Sequence, residues 1–332
     1  MKKSLSIAFL IFVSVFVISC NRKKVHDQLV VVDGGQFVMG DDKIALPWGY
    51  YSHAEHVVTL SSFLVAPYEV TQHEFEEIMG YNPSFYQGSS KNRQVASSEE
   101  QVLRPVDKVN WYEAIVFCNK LSVENGLKPA YLKEINIEDY ENLDKILDNE
   151  GKKALANGEP VWSRDVNLWG KIPANKGFED WDSISWDKKA NGYRLLTEAE
   201  WEYVAKGGNL SKNYTSSGFN FSDSDVKKYC WSKKNSNKVT HQVGILSPNE
   251  LGVFDMAGNL QEWCWDWFDE KYYYTPEAND KNPSGPESGE DRCVRGSCWD
   301  DEDEDLAVII RGSSSPYITG RRTGFRICRN IR

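Results

Sequence analysis

The sequence of 332 residues has little of what several large protein classes require. It contains no C-x-x-C pair of cysteines, so a zinc centre is not expected. The formal net charge is -10 and no basic stretch of useful length occurs, which argues against a nucleic-acid partner. The apolar run at 7–18 is too short to span a bilayer comfortably. What is present is an apolar content of 40%, ample for the core of one large domain or two small ones.

The first twenty residues are predicted to be an export signal and not part of the fold. Lys2 and Lys3 form a basic start before the apolar run 7–18. The run ends in Ser19-Cys20, which resembles the lipobox of bacterial lipoproteins, where the cysteine becomes the lipidated first residue. We therefore expect a lipid anchor at Cys20, a short tether at 21–28, and a place on the outer membrane or cell surface. The alternative is an ordinary signal peptide that happens to end in a cysteine.

Short strands and a few helices are predicted for the remainder, 29–332. Extended patterns cover 29–40, around a Gly-Gly turn, and 56–69. Three helices are indicated by a capping residue followed three positions later by Glu, at Thr71, Asn110 (a weaker version) and Thr197. From 250 onward the chain is rich in Gly, Asp and Trp, which suits a loop-heavy domain. The pattern favours the α+β class and gives no sign of parallel-sheet repeats.

The stretch from about 127 to 190 is charged and irregular, and we interpret it as a surface insertion and not as a second domain. A short acidic helix is expected within 134–157. Export permits disulfides, but the spacing of the six later cysteines does not assign partners. These cysteines are Cys118, Cys230, Cys264, Cys293, Cys298 and Cys328.

Six motifs in fixed order carry a family resemblance. They are GGQFVMG at 34–40, YEVT at 68–71, RPV and VNWYEA at 104–114, RLLTEAEWEY at 194–203, LGVFDMAGNLQEW at 251–263 and GFR at 324–326. Together they resemble the sulfatase-modifying-factor, or formylglycine-generating-enzyme, family. The resemblance covers about 29–332 and implies a compact variant of the C-type lectin fold, with much irregular structure.

The oxidases of this family bind copper through two cysteines placed just after an RGGSW motif, which here reads RGSCW at 295–299. Asp301 and Leu306 stand where the resemblance puts those thiols, and neither can bind copper(I), which needs soft ligands. Cys293 and Cys298 are also five positions apart, but they lie upstream of the copper positions, and we expect them to be core residues. The five histidines lack the H-x-x-x-H spacing of the family's iron enzymes. Oxidase activity is therefore not expected.

The segment 300–322 is similar to the variable region of proteins diversified by diversity-generating retroelements, which mutate adenine-containing codons at the end of a lectin fold. We expect a variable region at about 298–326, with Leu306 to Ile310 as its buried strand. Glu302 and Glu304 do not fit such mutation and would be fixed. The alternative is a solvated charged loop. The candidate ligand-binding residues are Asp300, Asp301, Asp303, Asp305, Ser313, Ser314, Ser315, Tyr317, Ile318, Thr319, Arg321 and Arg322.

The resemblance also implies a calcium site, which the family's enzymes form at the positions of Asp255, Gly258, Leu260 and Glu262. Calcium is therefore a candidate cofactor, but we do not expect ligand binding to require it. The alternative is that Asp255 and Glu262 form turn hydrogen bonds or pair with arginine. Four arginines are expected to tie loops to carbonyls and carboxylates: Arg194, Arg295, Arg311 and Arg326. Five tryptophans are expected in the core and not as ligand platforms: Trp201, Trp263, Trp265, Trp267 and Trp299.

The sequence thus indicates a non-catalytic lipoprotein that binds a protein or glycan ligand at the cell surface through 300–322, with membrane contact through its lipid and no nucleic-acid partner. Loop residues on a rigid scaffold can be exchanged at little cost in stability. One alternative is an oxidase or modifier with an atypical site. Another is a structural envelope lipoprotein.

Overall fold

The computed structural model describes residues 24–41, 55–88, 94, 96–177, 179–212 and 226–331. The predicted export signal, with Cys20, lies outside them. None of the helices in these ranges has the length and apolar character to cross a membrane. The helices are α1 (Gln72–Met79), α2 (Trp111–Glu124), α3 (Leu143–Ile146), α4 (Asn149–Asn157), α5 (Glu179–Asp182) and α6 (Glu198–Ala205). The strands are β1 (Val30–Val32), β2 (Gly35–Met39), β3 (His56–Leu60), β4 (Phe63–Val65), β5 (Tyr131–Glu134), β6 (Trp162–Ser163), β7 (Ser185–Trp186), β8 (Tyr193–Leu195), β9 (Gln261–Trp267), β10 (Arg292–Arg295), β11 (Arg311–Ser314), β12 (Thr323–Gly324) and β13 (Ile327–Asn330).

Two four-stranded sheets organise the fold. One has the order β1-β4-β13-β8, so that the last strand of the chain lies between strands from its beginning and middle. The other has the order β11-β10-β9-β12 and is antiparallel except at its β9–β12 pair. The two edge strands of the second sheet, β11 and β12, both lie within the predicted variable region, and the central strands β9 and β10 are largely buried.

The capping residues of the three predicted helices are confirmed. Asn110 and Thr197 form complete capping boxes with Glu113 and Glu200, so the asparagine version is not the weaker one. The Thr71 hydroxyl accepts the Glu74 amide proton, but no reciprocal bond completes that box. The Glu74 carboxylate instead contacts the ring of His26.

The Gly-Gly turn at Gly34 and Gly35 separates two strands, as predicted, but β1 and β2 do not pair with each other. β1 pairs with β4, whereas β2 pairs with β3. A Cβ at Gly34 would lie 2.5 Å from the carbonyl oxygen of Leu60, so the close approach of two backbones requires glycine there. The turn therefore directs the chain from one sheet into another.

The stretch 127–190 forms a three-stranded sheet, β6-β5-β7, and contains the short helices α3 to α5. α3 and α4 confirm a helix within 134–157 but not its acidic character, because α3 has one Asp and one Lys and α4 has one Glu and two Lys. Tyr131, Trp169 and Trp181 are buried in one apolar cluster with residues of α2. The stretch is thus anchored in the core of the domain by its aromatic side chains, while much of its charge is exposed.

Residues Val25–Gln28, at the end of the predicted tether, form a short 3-10 turn. Lys24 pairs with Glu77 of α1 at 3.0 Å, next to the contact between His26 and Glu74. The described part of the tether therefore lies against α1.

Candidate ligand-binding face

A buried cluster of arginines and carboxylates lies under the predicted ligand-binding segment. Glu198, the first residue of α6, accepts hydrogen bonds from Arg295 (2.8 Å) on β10 and from Arg311 (2.8 and 2.9 Å) on β11. Arg295 also donates to Glu202 at 2.6 Å and to the carbonyl of Val308 at 2.6 Å. Charge-assisted bonds of this kind are the strong ones. The cluster fixes helix α6 to both strands that frame residues 296–310.

The sequence prediction for the four arginines is confirmed. Arg194 pairs with Glu200 at 2.6 Å, and Arg326 pairs with Glu262 at 2.7 Å while donating to the carbonyls of Ala66 and Phe254. Asp266 accepts the backbone amide proton of Glu198 at 2.8 Å. Burial and the nearby charge of Glu198 raise the pKa of Asp266 to about 8.

The first half of the segment forms a polar surface together with the loop at 232–234. Asp303 accepts from Ser232 and Lys234, both at 2.8 Å, and Glu302 pairs with Lys233 at 2.6 Å. Asp305 contributes its carbonyl, which accepts from the Ser297 hydroxyl. The side chains of Glu302, Asp303 and Asp305 are half-buried.

Asp300, Asp301, Arg321 and Arg322 are brought together by the fold. Arg322 forms an ion pair with Asp300 and approaches Asp301 at 3.8 Å. Arg321 lies over the ring of Trp299, 5.7 Å from its centroid. Asp301, however, accepts the backbone amide proton of Cys298 at 2.7 Å, so its carboxylate also stabilises the turn that carries it.

The second half of the segment lies along and after β11. Ser313 and Ser315 both donate to Asp291, at 3.3 and 2.6 Å. Ser314 is half-buried opposite Arg292, and Tyr317 is half-buried against the core. Ile318 and Thr319 are exposed at the following turn. This half is therefore a separate group of polar and apolar side chains, organised around Asp291 and not around the Asp300–Arg322 pair.

The prediction of a strand at Leu306 to Ile310 was wrong. These residues are buried but irregular, and the strand is Arg311–Ser314, which pairs with β10. A run of apolar residues indicates burial, whereas strand formation requires a partner for the backbone. Here β10 pairs with the more polar residues Arg311–Ser314, which follow the apolar run.

The six cysteines in the described ranges are free and buried. Cys293 belongs to the apolar cluster around α6, with its sulfur 3.2 Å from the Glu198 carboxylate, whereas Cys298 packs with Tyr86 and Trp299 in another cluster. Burial raises the pKa of both thiols. Core placement of the two is thus confirmed, and their thiols stay protonated at neutral pH.

Two buried carboxylate oxygens lack a partner at the predicted calcium turn, one on Asp255 in the turn and one on Glu69, which precedes α1. Asp255 accepts from the Gly244 amide at 2.8 Å through one oxygen, and its other oxygen is unpaired and buried. Oε1 of the buried Glu69, which interacts electrostatically with Asp255, is unpaired as well. Burial raises the pKa of Asp255 to about 6 and that of Glu69. The turn thus holds acidic oxygen atoms whose charge the protein does not fully compensate.

Glu262 pairs with an arginine, as the alternative to a calcium site predicted. Both its oxygens accept from Arg326, and Oε2 also accepts from the indole of Trp201 at 2.9 Å. Within the described ranges, no group of three or more His, Cys, Asp or Glu side chains is arranged to hold a metal ion. Calcium would therefore need backbone oxygens, such as those of Gly258 and Leu260, besides the carboxylate of Asp255.

Four of the five tryptophans expected in the core are buried: Trp201, Trp263, Trp267 and Trp299. Trp265 is partly exposed. Sequence reasoning missed Glu198, Glu69 and Arg292. The only sequence feature that could have pointed to Glu198 was an acidic residue directly after the capping Thr197, which by itself is ordinary at a helix start.

Comparison with known proteins places this geometry in context. Residues 17–331 match a family model described as the sulfatase-modifying factor enzyme 1-like domain. The chain is 33% identical to the chaperone protein LppX of Paenibacillus barcinonensis over 258 residues, 73% of this chain and 72% of that protein. It is also 33% identical over 161 residues to the formylglycine-generating enzyme of Streptomyces coelicolor, 45% of this chain and half of that enzyme.

A solved structure resembles most of the chain. Treponema denticola variable protein 1 is similar with a TM-score of 0.73 and 33% identity, over 91% of this chain and 95% of its own. This likeness and the family match confirm the predicted α+β, C-type-lectin-like fold of the formylglycine-generating-enzyme type.

Proposed function

Because the chain belongs to the sulfatase-modifying factor enzyme 1-like family, we propose that it uses the family scaffold to bind a ligand and not to catalyse a reaction. The observation that carries the proposal is the environment of Asp301 and Leu306, the two residues that the family resemblance puts at the copper positions of the oxidases. Asp301 accepts a backbone hydrogen bond from Cys298, and Leu306 is buried in the apolar cluster around α6. A carboxylate and an aliphatic side chain offer copper(I) no soft ligand.

The ligand in this proposal is a protein or glycan at the cell surface, bound by residues 300–322. The buried Glu198 cluster holds Arg295, just before this segment, and Arg311, in its middle, so exchange of the segment's exposed side chains would cost little stability. Asp, Ser, Tyr and Arg side chains offer charge-assisted hydrogen bonds and contact area. Similarity over 91% of the chain to a variable protein of Treponema denticola supports diversification of this segment.

Placement on a membrane surface through a lipid at Cys20 is part of the same proposal. A display protein requires an anchor, and the lipobox-like Ser19-Cys20 would provide one without a spanning helix. A second candidate, action on other envelope proteins, is favoured by the 33% identity to a protein named as a chaperone. In that case residues 300–322 would be invariant among strains.

We also propose that the turn at Asp255 binds calcium. The unpaired buried oxygens of Asp255 and Glu69 support this, because an oxygen-coordinated divalent cation would compensate both. In this arrangement Glu262 stays paired with Arg326 and supports the turn from outside the coordination sphere.

The absence of catalysis can be tested with copper(I) and a sulfatase-derived peptide that contains the target cysteine. We expect no formylglycine above the protein-free control by mass spectrometry, because no thiolate stands at position 301 or 306. The formylglycine-generating enzyme of Streptomyces coelicolor, assayed in parallel, should convert the peptide. Copper-dependent conversion by the wild-type chain, lost on Cys293→Ser or Cys298→Ser substitution, would show that the chain is an oxidase with an atypical site.

A further inference from the structure

A cavity of about 520 Å³ lies between β7, the end of β9 and the loop at 277–287. None of the residues 300–322 lines it. Its walls include the indole rings of Trp186, Trp265 and Trp267, and the first two are partly exposed. Its volume lies in the range of sites for small ligands, and polar and charged side chains make up much of the rest of its lining.

Arg292 lies in the wall of this cavity with almost no exposed surface. Its guanidinium group is held between Trp111 and Trp267, 3.7 and 3.4 Å from the ring centroids. Nη1 donates to the carbonyl of Trp265 at 2.6 Å, and Nε–H has no acceptor. Among the described residues no carboxylate forms an ion pair with Arg292, whereas the buried arginines Arg194, Arg295, Arg311 and Arg326 each have one.

An unpaired buried cation is costly unless something else compensates it. Burial lowers the pKa of Arg292 to about 9, which reflects that cost. The two stacked indoles compensate part of it through cation–π attraction. They cover the faces of the guanidinium group, so only its edge is left for an anionic partner.

A second orphan donor lies in the same wall. The indole Nε1–H of Trp186 is buried and has no acceptor. At the rim, Lys188 lies 5.5 Å above the Trp186 ring and donates to Ser284 at 3.0 Å. Asp182, Glu277, Asp280 and Glu287 are also at the rim but exposed, so solvent and salt screen their charge more than that of Arg292.

We propose that this cavity binds a ring-shaped ligand that carries a carboxylate, of the acidic-sugar class. The carboxylate accepts from the edge of Arg292, the apolar ring face packs on the exposed side of Trp265, and ring hydroxyls meet Trp186, Lys188 and Ser284. An aromatic acid would satisfy Arg292 but would leave these other donors without acceptors. The site is distinct from the one formed by 300–322 and does not depend on it.

The test is titration of the full chain with sodium glucuronate and with glucose, followed by tryptophan fluorescence and calorimetry. A single sugar acid should bind with a Kd of about 1 mM, given its few non-hydrogen atoms. Glucose should bind at least about tenfold more weakly, because it cannot accept the charge-assisted bond. Arg292→Met should abolish the preference for glucuronate without lowering the thermal midpoint, since it removes an unpaired buried charge.

Trp186→Phe keeps a ring in place and removes one donor, so it provides a second, milder variant that should bind glucuronate several-fold more weakly. Lys227→Gln, an exposed change outside the cavity lining, should bind as the wild type does. Equal binding of glucose and glucuronate, no binding of either, or unchanged binding by folded Arg292→Met would overturn the proposal. Binding of benzoate without glucuronate would overturn the assignment to sugars.

Discussion

Glu198→Gln is expected to lower the free energy of unfolding by about 3–5 kcal/mol, because it leaves buried arginines without their shared carboxylate. Arg311 forms its ion pair with Glu198, whereas Arg295 retains Glu202. The same change deprives the Tyr273 hydroxyl, 3.0 Å away, of a charged acceptor. Urea denaturation followed by circular dichroism measures the loss.

Glu302→Gln is the matched control for this experiment. It also breaks a carboxylate pair, with Lys233, but that pair is solvent-exposed, and its loss should not change the unfolding midpoint measurably. The double variant Glu198→Gln/Arg311→Met should recover part of the lost stability, because it removes the uncompensated charge together with its partner. If Glu198→Gln were no more harmful than Glu302→Gln, the cluster would not be what holds the ligand-binding segment.

Calcium is expected to raise the free energy of unfolding by about 3 kcal/mol when its free concentration is 100 times its Kd. The gain follows from binding to the folded turn at Asp255 and not to the unfolded chain. Thermal unfolding in calcium and in EDTA measures it directly. Magnesium should stabilise much less, because it dehydrates reluctantly and demands a stricter geometry.

Asp255→Asn should affect stability differently in EDTA and in calcium. In EDTA the variant should be at least as stable as the wild type, because one buried, incompletely paired carboxylate is gone. In calcium it should be less stable, because a ligand is lost. Asp303→Asn, a half-buried carboxylate outside the turn, should respond to calcium as the wild type does. A calcium response that survives Asp255→Asn would contradict the site.

Local features of the sequence predicted much of this fold, because their determinants lie within a few residues of one another. The capping boxes at Asn110 and Thr197 need only four consecutive residues. Three of the four arginines, Arg194, Arg295 and Arg326, were recognisable because they occur within motifs of the family. The burial of Trp201 and Trp263 followed from the same motifs.

Features that depend on distant partners were not predictable in the same way. The strand at Arg311–Ser314 forms because its backbone pairs with β10, and the sequence of Arg311–Ser314 does not indicate this pairing. Glu198 joins two strands that begin 94 and 113 positions later in the chain. That Arg292 has no carboxylate partner can be recognised only when all its neighbours in the structure are known.

The candidate ligand-binding residues were predicted as one set, and the structure divides them into three groups, one of which is Asp303 with Ser232 and Lys234. Asp300, Arg321 and Arg322 meet beside Trp299, whereas Ser313 and Ser315 meet at Asp291. In a diversified surface, substitutions should occur mainly at positions whose side chains form no hydrogen bonds to the backbone. We therefore expect Ile318, Thr319 and Arg321 to vary more freely than Asp301.

The most direct test of the central claim is to sequence the 3′ end of this gene from many isolates, together with a search for an adenine-rich template repeat nearby. A diversified binding protein predicts substitutions confined to codons 300–322, with Glu302, Glu304 and the flanking motifs at 295–299 and 324–326 unchanged. An invariant segment with no template repeat would contradict the claim. It would point instead to a lipoprotein with one fixed ligand or a structural role in the envelope.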